Sequence, residues 1–284
     1  MRAALRELDS QGFSLRRARG IWLVTAEGFE RDALALGLLD ATRLAQALDA
    51  AKPEGGGRGG SSVITLPASG ARLQLRRMVR GGLLRHLRPR HPLGLRRSLA
   101  ELAATARLRA RGAPVPRPAL LVARRANVGW EVALATVREE GCLDGLAFLR
   151  AGPSPERIER AARAAGEAVR RLHDAGGRHA DLHAGNLLLR ESTDGCNVII
   201  VDLDRARVAS EVGPARRMRE LMRLARSLRK HALAARADEY GSAAFFDAYL
   251  GGDLELRRRM LRYLSRERAR NALHVLGYRA RAID

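Results

Sequence analysis

Aromatic side chains make up only 4% of this chain, so any core must be filled by Leu, Ala and Val, which a hydrophobic content of 46% supplies in ordinary measure. Lysine is nearly missing: Lys52 and Lys230 are the only two. Acidic residues are too few to balance the arginines, with 31 Asp and Glu against 52 Lys and Arg, a formal net charge of +21. A surface of that sign attracts polyanions such as nucleic acid, anionic lipid or a phosphorylated glycan. A preference for Arg over Lys accounts for part of the composition, but not for the shortage of acids. Only two cysteines occur, Cys142 and Cys196, with neither metal nor redox spacing, which points to a reducing compartment. No apolar run approaches the roughly 20 residues needed to span a bilayer. The first nine residues, Met1 to Asp9, carry charges where a signal peptide requires an apolar stretch. The expectation is a cytoplasmic protein, soluble or peripheral.

The 284 residues suffice for one large domain or two lobes. Ile21–Val24 reads as a short strand, and a helix is expected from about Phe29 to Leu48, with Leu34, Leu38 and Leu48 on its apolar face. Lys52 to Ser62 is a Gly-rich break. Val63–Leu66 and Arg72–Met78 read as strands joined by the turn Pro67-Ala-Ser-Gly70. A helix follows from about Leu95 to Arg111, and Pro114-Val-Pro-Arg-Pro118 runs extended. One or two strands lie within 119–137. Ser154-Pro155 opens a helix bearing Ile158, Ala162, Ala165, Val169 and Leu172 on one face. A Val198–Val201 strand comes next, and the remainder is helical and basic. Strands with one helix, then a connector near Thr136–Glu140, then a helical half suggest two lobes around a cleft. The boundaries are set at 1–54 for an N-terminal extension joining the N-lobe, 55–138 for the N-lobe and 139–284 for the C-lobe.

The chemistry concentrates in His179-Ala-Asp-Leu-His-Ala-Gly-Asn186 and Asp202-Leu-Asp204. Phosphoryl transfer needs a carboxylate to orient the attacking hydroxyl, and Asp181 has that character. Asn186, on the same loop, and Asp202, delivered by an apolar strand, are oxygen ligands of the kind Mg²⁺ takes. His179 is placed to fix the loop, and Asp204 to touch metal or substrate or to anchor the loop to Arg205 or Arg207. Upstream, Gly57-Arg58-Gly59 lets backbone amides approach phosphates, or serves as a plain linker. On the strand that follows, Leu73 and Leu75 point one way, Gln74 and Arg76 the other. Arg76 can reach phosphate where a kinase normally uses Lys, and Glu101 on the next helix can pair with it. A one-residue slip of register would present Arg77 instead. His173 reads as a helix-end residue, and His183 shows no metal spacing.

These segments resemble the lipopolysaccharide core kinases, the 3-deoxy-D-manno-octulosonic acid (Kdo) kinases above all. The likeness runs through Gly57-Arg-Gly59, Leu75-Arg76 with Arg80-Gly-Gly-Leu83, and Glu101. It continues through Gly112-Ala-Pro-Val-Pro-Arg-Pro118, Leu172-His-Asp174, the loop from His179 to Leu189, Asp202-Leu-Asp-Arg205 and Arg223-Leu-Ala-Arg-Ser-Leu-Arg-Lys230. It covers about residues 55–232. The resemblance implies an α+β, protein-kinase-like two-lobed fold, with a small β-rich N-terminal lobe and a larger helical C-terminal lobe. It implies ATP and Mg²⁺ as cofactors and transfer of phosphate to an inner-core sugar hydroxyl, most closely Kdo on a lipid A precursor. By position, Asp181 looks like the base, Asn186 and Asp202 like metal ligands, and Arg76 with Glu101 like the nucleotide-binding pair. His183 and Gly185 stand where the family's loop usually has Asn and His, and Leu203 where it has Phe.

The resemblance further implies a lipid A-linked glycolipid as partner and the anionic cytoplasmic face of the inner membrane as location. No nucleic acid and no obligate protein partner are expected. The helix from about Pro214 to Ala235 sets Met218, Leu221, Met222, Leu224, Ala225 and Leu228 among arginines. That pattern suits a membrane surface, or equally a face packed into the helical lobe. Two other readings stand beside the glycolipid kinase. One is a protein or small-molecule kinase of the same fold, the protein version weakened because no Ala-Pro-Glu-like segment follows Asp202. The other is an inactive kinase-like module that binds anionic lipid, against which the intact Asp181, Asn186 and Asp202 argue.

Overall fold

Six strands assemble into one antiparallel sheet with apolar residues packed on both of its faces. In the computed structural model described here, residues 1–50, 61–78, 94–193, 195–204 and 206–264 are described. The chain divides into two compact units. The first comprises Met1–Arg109 and Pro116–Glu140, the second Ala110–Val115 and Gly141–Asp284.

The first unit is built on the strands β1 (Phe13–Ala18), β2 (Ile21–Ala26), β3 (Ser61–Thr65), β4 (Arg72–Arg77), β5 (Pro118–Arg125) and β6 (Trp130–Val137). Their order across the sheet is β1-β2-β5-β6-β4-β3. Both faces are covered. Ile21, Leu23, Leu73, Leu75 and Val122 pack with Phe29, Ala33, Leu38 and Leu44 from the segment holding α2 (Glu30–Ala35) and α3 (Ala41–Ala50). Val24, Leu121, Ala123 and Leu134 face Leu8 of α1 (Arg2–Ser10) and Leu99, Leu102 and Ala106 of α4 (Arg96–Ala110). A strand buried on both faces must be apolar throughout, which is why Ala119-Leu-Leu-Val-Ala123 of β5 shows no alternation.

The single helix expected over Phe29–Leu48 is two short helices. Gly37 adopts φ +70°, a left-handed conformation that ends α2. Asp40 then restarts the helix, its Oδ1 accepting the N–H groups of Thr42 at 3.0 Å and Arg43 at 2.9 Å. Leu34 is consequently exposed while Leu38 is buried. The hairpin partner β1 and the helix α1 were not anticipated.

In the second unit, β7 (Leu143–Asp144), β9 (Leu187–Ser192) and β10 (Gly195–Ile200) form a three-stranded sheet beside α5 (Gly145–Arg150) and α6 (Pro155–Asp174). The short strands β8 (Gly177–Arg178) and β11 (Arg207–Val208) pair with each other. The unit also contains α7 (Pro214–Lys230), α8 (Ala234–Leu250) and a further helix over 254–264. Gly166 permits the close contact of α6 with α8, since a Cβ there would lie 2.3 Å from the Phe245 carbonyl oxygen. An apolar cavity of about 150 Å³ remains among α5, α6, α7 and α8, lined by Phe148, Ile158, Leu224 and Phe245 among others.

Of the two roles open to the basic helix, α7 takes the inward one. It ends at Lys230 rather than Ala235, and Met218, Leu221 and Leu224 are buried inside the unit. Several of its arginines bind protein groups: Arg216 binds Glu220, Arg217 binds Asp174 and Arg223 binds Asp181. Among the described residues, no helix is long and apolar enough to cross a membrane.

Candidate functional site

The loop between β8 and β9 is held from three sides. His179 is buried, and its Nε2 donates to the Val201 carbonyl at 3.0 Å while its Nδ1 accepts the Asp181 N–H at 3.1 Å. These bonds fix a neutral ring with the proton on Nε2. Burial also pushes the His179 pKa down, against the pull of the Val201 carbonyl and nearby carboxylates.

Val201 ties the loop to Asp202. Its N–H donates to the Asn186 carbonyl at 2.9 Å, and its own carbonyl accepts from His179. One residue therefore bonds both ends of the loop, and Asp202 follows it directly. Asp202 itself has φ +57°, a left-handed conformation that costs a non-glycine residue about 1 kcal/mol. The fold supports that strain at an exposed carboxylate, which is where a functional constraint is expected.

Asn186 is buried, and its Nδ2 donates to the Asp181 carbonyl at 3.0 Å. That bond orients the amide and leaves Oδ1 as the free end, a hard oxygen donor. The Asp181 carboxylate is exposed. Arg223 Nη1 donates to its Oδ1 at 2.9 Å, and His183 Nε2 stands 4.0 Å from its Oδ2. Asp204 is half-buried in the turn closed by the Ala206 N–H on the Leu203 carbonyl at 2.8 Å. Asp181, Asn186 and Asp202 are thus linked through the Asn186 amide and the backbone of Val201. Among the described residues no cluster of three His, Cys, Asp or Glu forms. An amide oxygen and a carboxylate, completed by water and phosphate oxygens, fit the hard oxygen shell of Mg²⁺ rather than the closed nitrogen and sulfur shell of structural zinc.

Helix α7 supplies three contacts that the sequence reading missed. Glu220 is buried, and its Oε2 accepts the His179 N–H at 2.9 Å and the His173 Nε2–H at 3.3 Å. Its Oε1 accepts Arg216 Nε at 2.7 Å. Burial alone would raise the Glu220 pKa, but its hydrogen bonds with His173, His179 and Arg216 outweigh it and hold the carboxyl below its ordinary range. Ser227 Oγ accepts the Ala184 N–H at 3.1 Å, at the start of the 3-10 turn Ala184–Asn186. Residues 220, 223 and 227 share one helical face, so that face reads the loop at His179, Asp181 and Ala184. A signal existed in the lone glutamate at 220 with Arg223 and Ser227 three and seven residues on.

His173 lies in the last turn of α6, as its reading as a helix-end residue expects. It is wholly buried, with Nδ1 accepting the Tyr249 hydroxyl at 2.8 Å, and burial pushes its pKa down. Burial also pushes the Tyr249 hydroxyl up to about 12.

In the first unit, register decides between the two arginines. On β4, Leu73 and Leu75 join the face covered by α2 and α3, so Arg76 points to the opposite face, where α4 lies. Arg76 Nη2 makes an ion pair with Glu101 of α4, which is buried, while Arg77 is exposed. Gly57, Arg58, Gly59, the Arg80-Gly-Gly82 segment and Arg205 lie outside the described residues. Cys142 and Cys196 are not joined in a disulfide, and burial pushes Cys196 up to about 11.

The profile of the lipopolysaccharide kinase (Kdo/WaaP) family matches residues 45–249. A 3-deoxy-D-manno-octulosonic acid kinase of Xanthomonas euvesicatoria pv. vesicatoria is 34% identical over 189 residues, covering 64% of this chain and 71% of that protein. The enzyme of the same name from Haemophilus influenzae strain PittEE is 31% identical over 167 residues, or 57% and 67% of the two chains. Among solved structures, WaaP in complex with acyl carrier protein superposes with a TM-score of 0.53 at 22% identity, covering 86% of this chain and 98% of that one. That likeness gives the protein-kinase-like fold, with the β-rich sheet first and the helical part after it. A kinase draws its phosphoryl group from a nucleoside triphosphate, so ATP use comes with the family. The protein is a phosphotransferase, and the chain belongs to the lipopolysaccharide kinase (Kdo/WaaP) family.

Proposed function

We propose that this enzyme transfers the γ-phosphate of ATP to a hydroxyl of a Kdo residue on a lipid A-linked glycolipid, at the cytoplasmic face of the inner membrane. The observation that carries the site assignment is the backbone of Val201. Bonded to His179 on one side and Asn186 on the other, it holds Asp202 beside the loop that presents Asp181. In this reading Asp181 accepts and orients the proton of the attacking hydroxyl. Asn186 Oδ1 and the Asp202 carboxylate hold Mg²⁺, which would neutralise charge on the transferring phosphoryl oxygens. His179 keeps the loop rigid as a neutral ring, and Asp204 steadies the turn behind Asp202. Arg76, oriented by Glu101, grips nucleotide phosphate with a planar fork where lysine would offer a point charge. The Gly57-Arg58-Gly59 amides approach the same phosphates.

The Kdo acceptor is supported by the names of the relatives, and the membrane face by the net charge of +21, which suits an anionic leaflet. The test is transfer of labelled phosphate from ATP to purified Kdo-bearing lipid A precursors, with heptose-bearing glycolipids and peptides as competitors. Label on the Kdo acceptor that depends on Asp181 supports the reading. Label on a peptide alone overturns it. Acyl carrier protein is the partner in the solved WaaP complex, and capture of that protein by this chain tests whether the partner is shared.

A further inference from the structure

We infer that Arg223 is the specificity-determining residue for the acceptor, and that it selects an acidic sugar by binding a carboxylate on the same sugar unit that carries the attacked hydroxyl. The inference rests on the Kdo reading above and deepens it. Arg223 donates Nη1 to Asp181 Oδ1 at 2.9 Å, and among the described residues this is its hydrogen bond. A guanidinium has five N–H donors in a plane, so the edge formed by Nε and Nη2 remains available for a second anion. That edge suits a carboxylate, which takes two parallel hydrogen bonds from it.

Two observations separate this from a plain surface ion pair. The first is energetic. Arg223 and Asp181 have side chains 42% and 62% exposed, and a pair in that setting adds at most about 1 kcal/mol to stability. Stability alone gives little reason to aim a guanidinium at this carboxylate. The second is positional. Arg223 does not float on a mobile surface, because Glu220 and Ser227, one turn on either side, bond the His179 and Ala184 amides. The helix therefore holds Arg223 in register with Asp181.

Distance then sets the chemistry. A hydroxyl bonded to Asp181 and an anion bonded to the free edge of Arg223 sit roughly 5–8 Å apart, given hydrogen bonds of about 3 Å at each step. That span is the width of one sugar ring. An acceptor with a carboxylate on the ring fills both positions, whereas a neutral sugar leaves the guanidinium edge without a partner. A phosphate elsewhere on the glycolipid offers the same charge from farther away.

The experiment uses the full chain and two changes that meet in one measurement: the carboxylate of the Kdo acceptor as free acid or methyl ester, and the enzyme as wild type, Arg223→Gln or Arg223→Lys. For wild type, esterification should lower kcat/KM by about 10- to 100-fold, mostly through KM, as loss of a charged hydrogen-bonding partner does. For Arg223→Gln the acid should fall to the ester's level, with no further loss on esterification. Arg223→Lys should retain part of the discrimination, which guards against a variant that merely misfolds. An ester penalty of the same size in wild type and Arg223→Gln overturns the inference. So does an Arg223-dependent loss that follows removal of the lipid phosphates instead of esterification. If wild type labels no Kdo-bearing acceptor at all, the acceptor reading fails and takes this inference with it. Transfer to Kdo without carboxylate coupling removes the role of Arg223 alone.

Discussion

Glu220 of α7 accepts the backbone N–H of His179 at 2.9 Å, joining a buried carboxylate to the residue that anchors the loop. The same carboxylate binds His173 and Arg216, so its removal strands the buried donors of His173 and His179. Glu220→Ala should cost about 2–4 kcal/mol of stability, by the penalty for breaking a buried charged network. Glu220→Gln, which keeps an acceptor oxygen, should cost less. Urea unfolding of the two variants checks the order, and equal stability of Glu220→Ala and wild type would remove the helix from its anchoring role.

Acid should destabilise the protein in a defined window. His173 and His179 are both held below their ordinary pKa of 6.5, first by burial. The folded state keeps them neutral where the unfolded chain binds protons, so their contribution is complete above about 6.5 and declines as pH falls. Glu220 is held below its ordinary 4.5, so its contribution is present above that value and lost at lower pH. The sign is the same for all three. The melting temperature should be flat from pH 7 to 8 and fall below about 6.5, with each histidine adding at most about 1.4 kcal/mol per pH unit. His173→Gln should flatten the slope between pH 6.5 and 5. A slope unchanged in that variant would mean His173 titrates freely.

The left-handed backbone of Asp202 separates stability from function. Asp202→Gly and Asp202→Ala should both lose phosphoryl transfer, since both lose the carboxylate. Asp202→Gly should nevertheless be the more stable of the two by about 1 kcal/mol, because glycine adopts φ +57° without strain. Thermal melts of the pair check this, and greater stability of the alanine variant would show that the conformation relaxes.

The ion pair between Arg76 of β4 and Glu101 of α4 makes a prediction about nucleotide. Arg76→Ala should raise KM for ATP about 10-fold or more, Arg76→Lys should raise it less, and Arg77→Ala should leave it near wild type. A double-mutant cycle of Arg76→Ala and Glu101→Ala should give a coupling of about 1–3 kcal/mol for the ion pair. A larger effect at Arg77 than at Arg76 would reverse the assignment.

The parts of this fold that could be read in advance are those set by local pattern. Alternation along Arg72–Arg77 set Arg76 opposite Leu73 and Leu75 but left a slip to Arg77 open, and Ser154-Pro155 marked the start of α6. What could not be read depends on residues far apart in sequence. The apolar spacing of 29–48 suggested one helix, but Gly37 and Asp40 outweighed it locally. The His179–Asn186 motif was visible, while the partner that fixes it was not. Glu220 lies 41 residues beyond His179 on a helix full of arginine, where a carboxylate looks like a solvated counterion. The backbone of Asp202 was equally hidden, because the bonds that Val201 makes beside it reach back to His179 and Asn186.

The most direct test of the account is quantified transfer of labelled γ-phosphate from ATP to a purified Kdo-bearing lipid A precursor, by wild type and by Asp181→Asn at equal folded concentration. The account predicts transfer to the Kdo residue by wild type and a loss of at least about 100-fold in the variant, the scale of a general-base contribution. Undiminished transfer by Asp181→Asn, or transfer by wild type to peptide and never to the glycolipid, would contradict it.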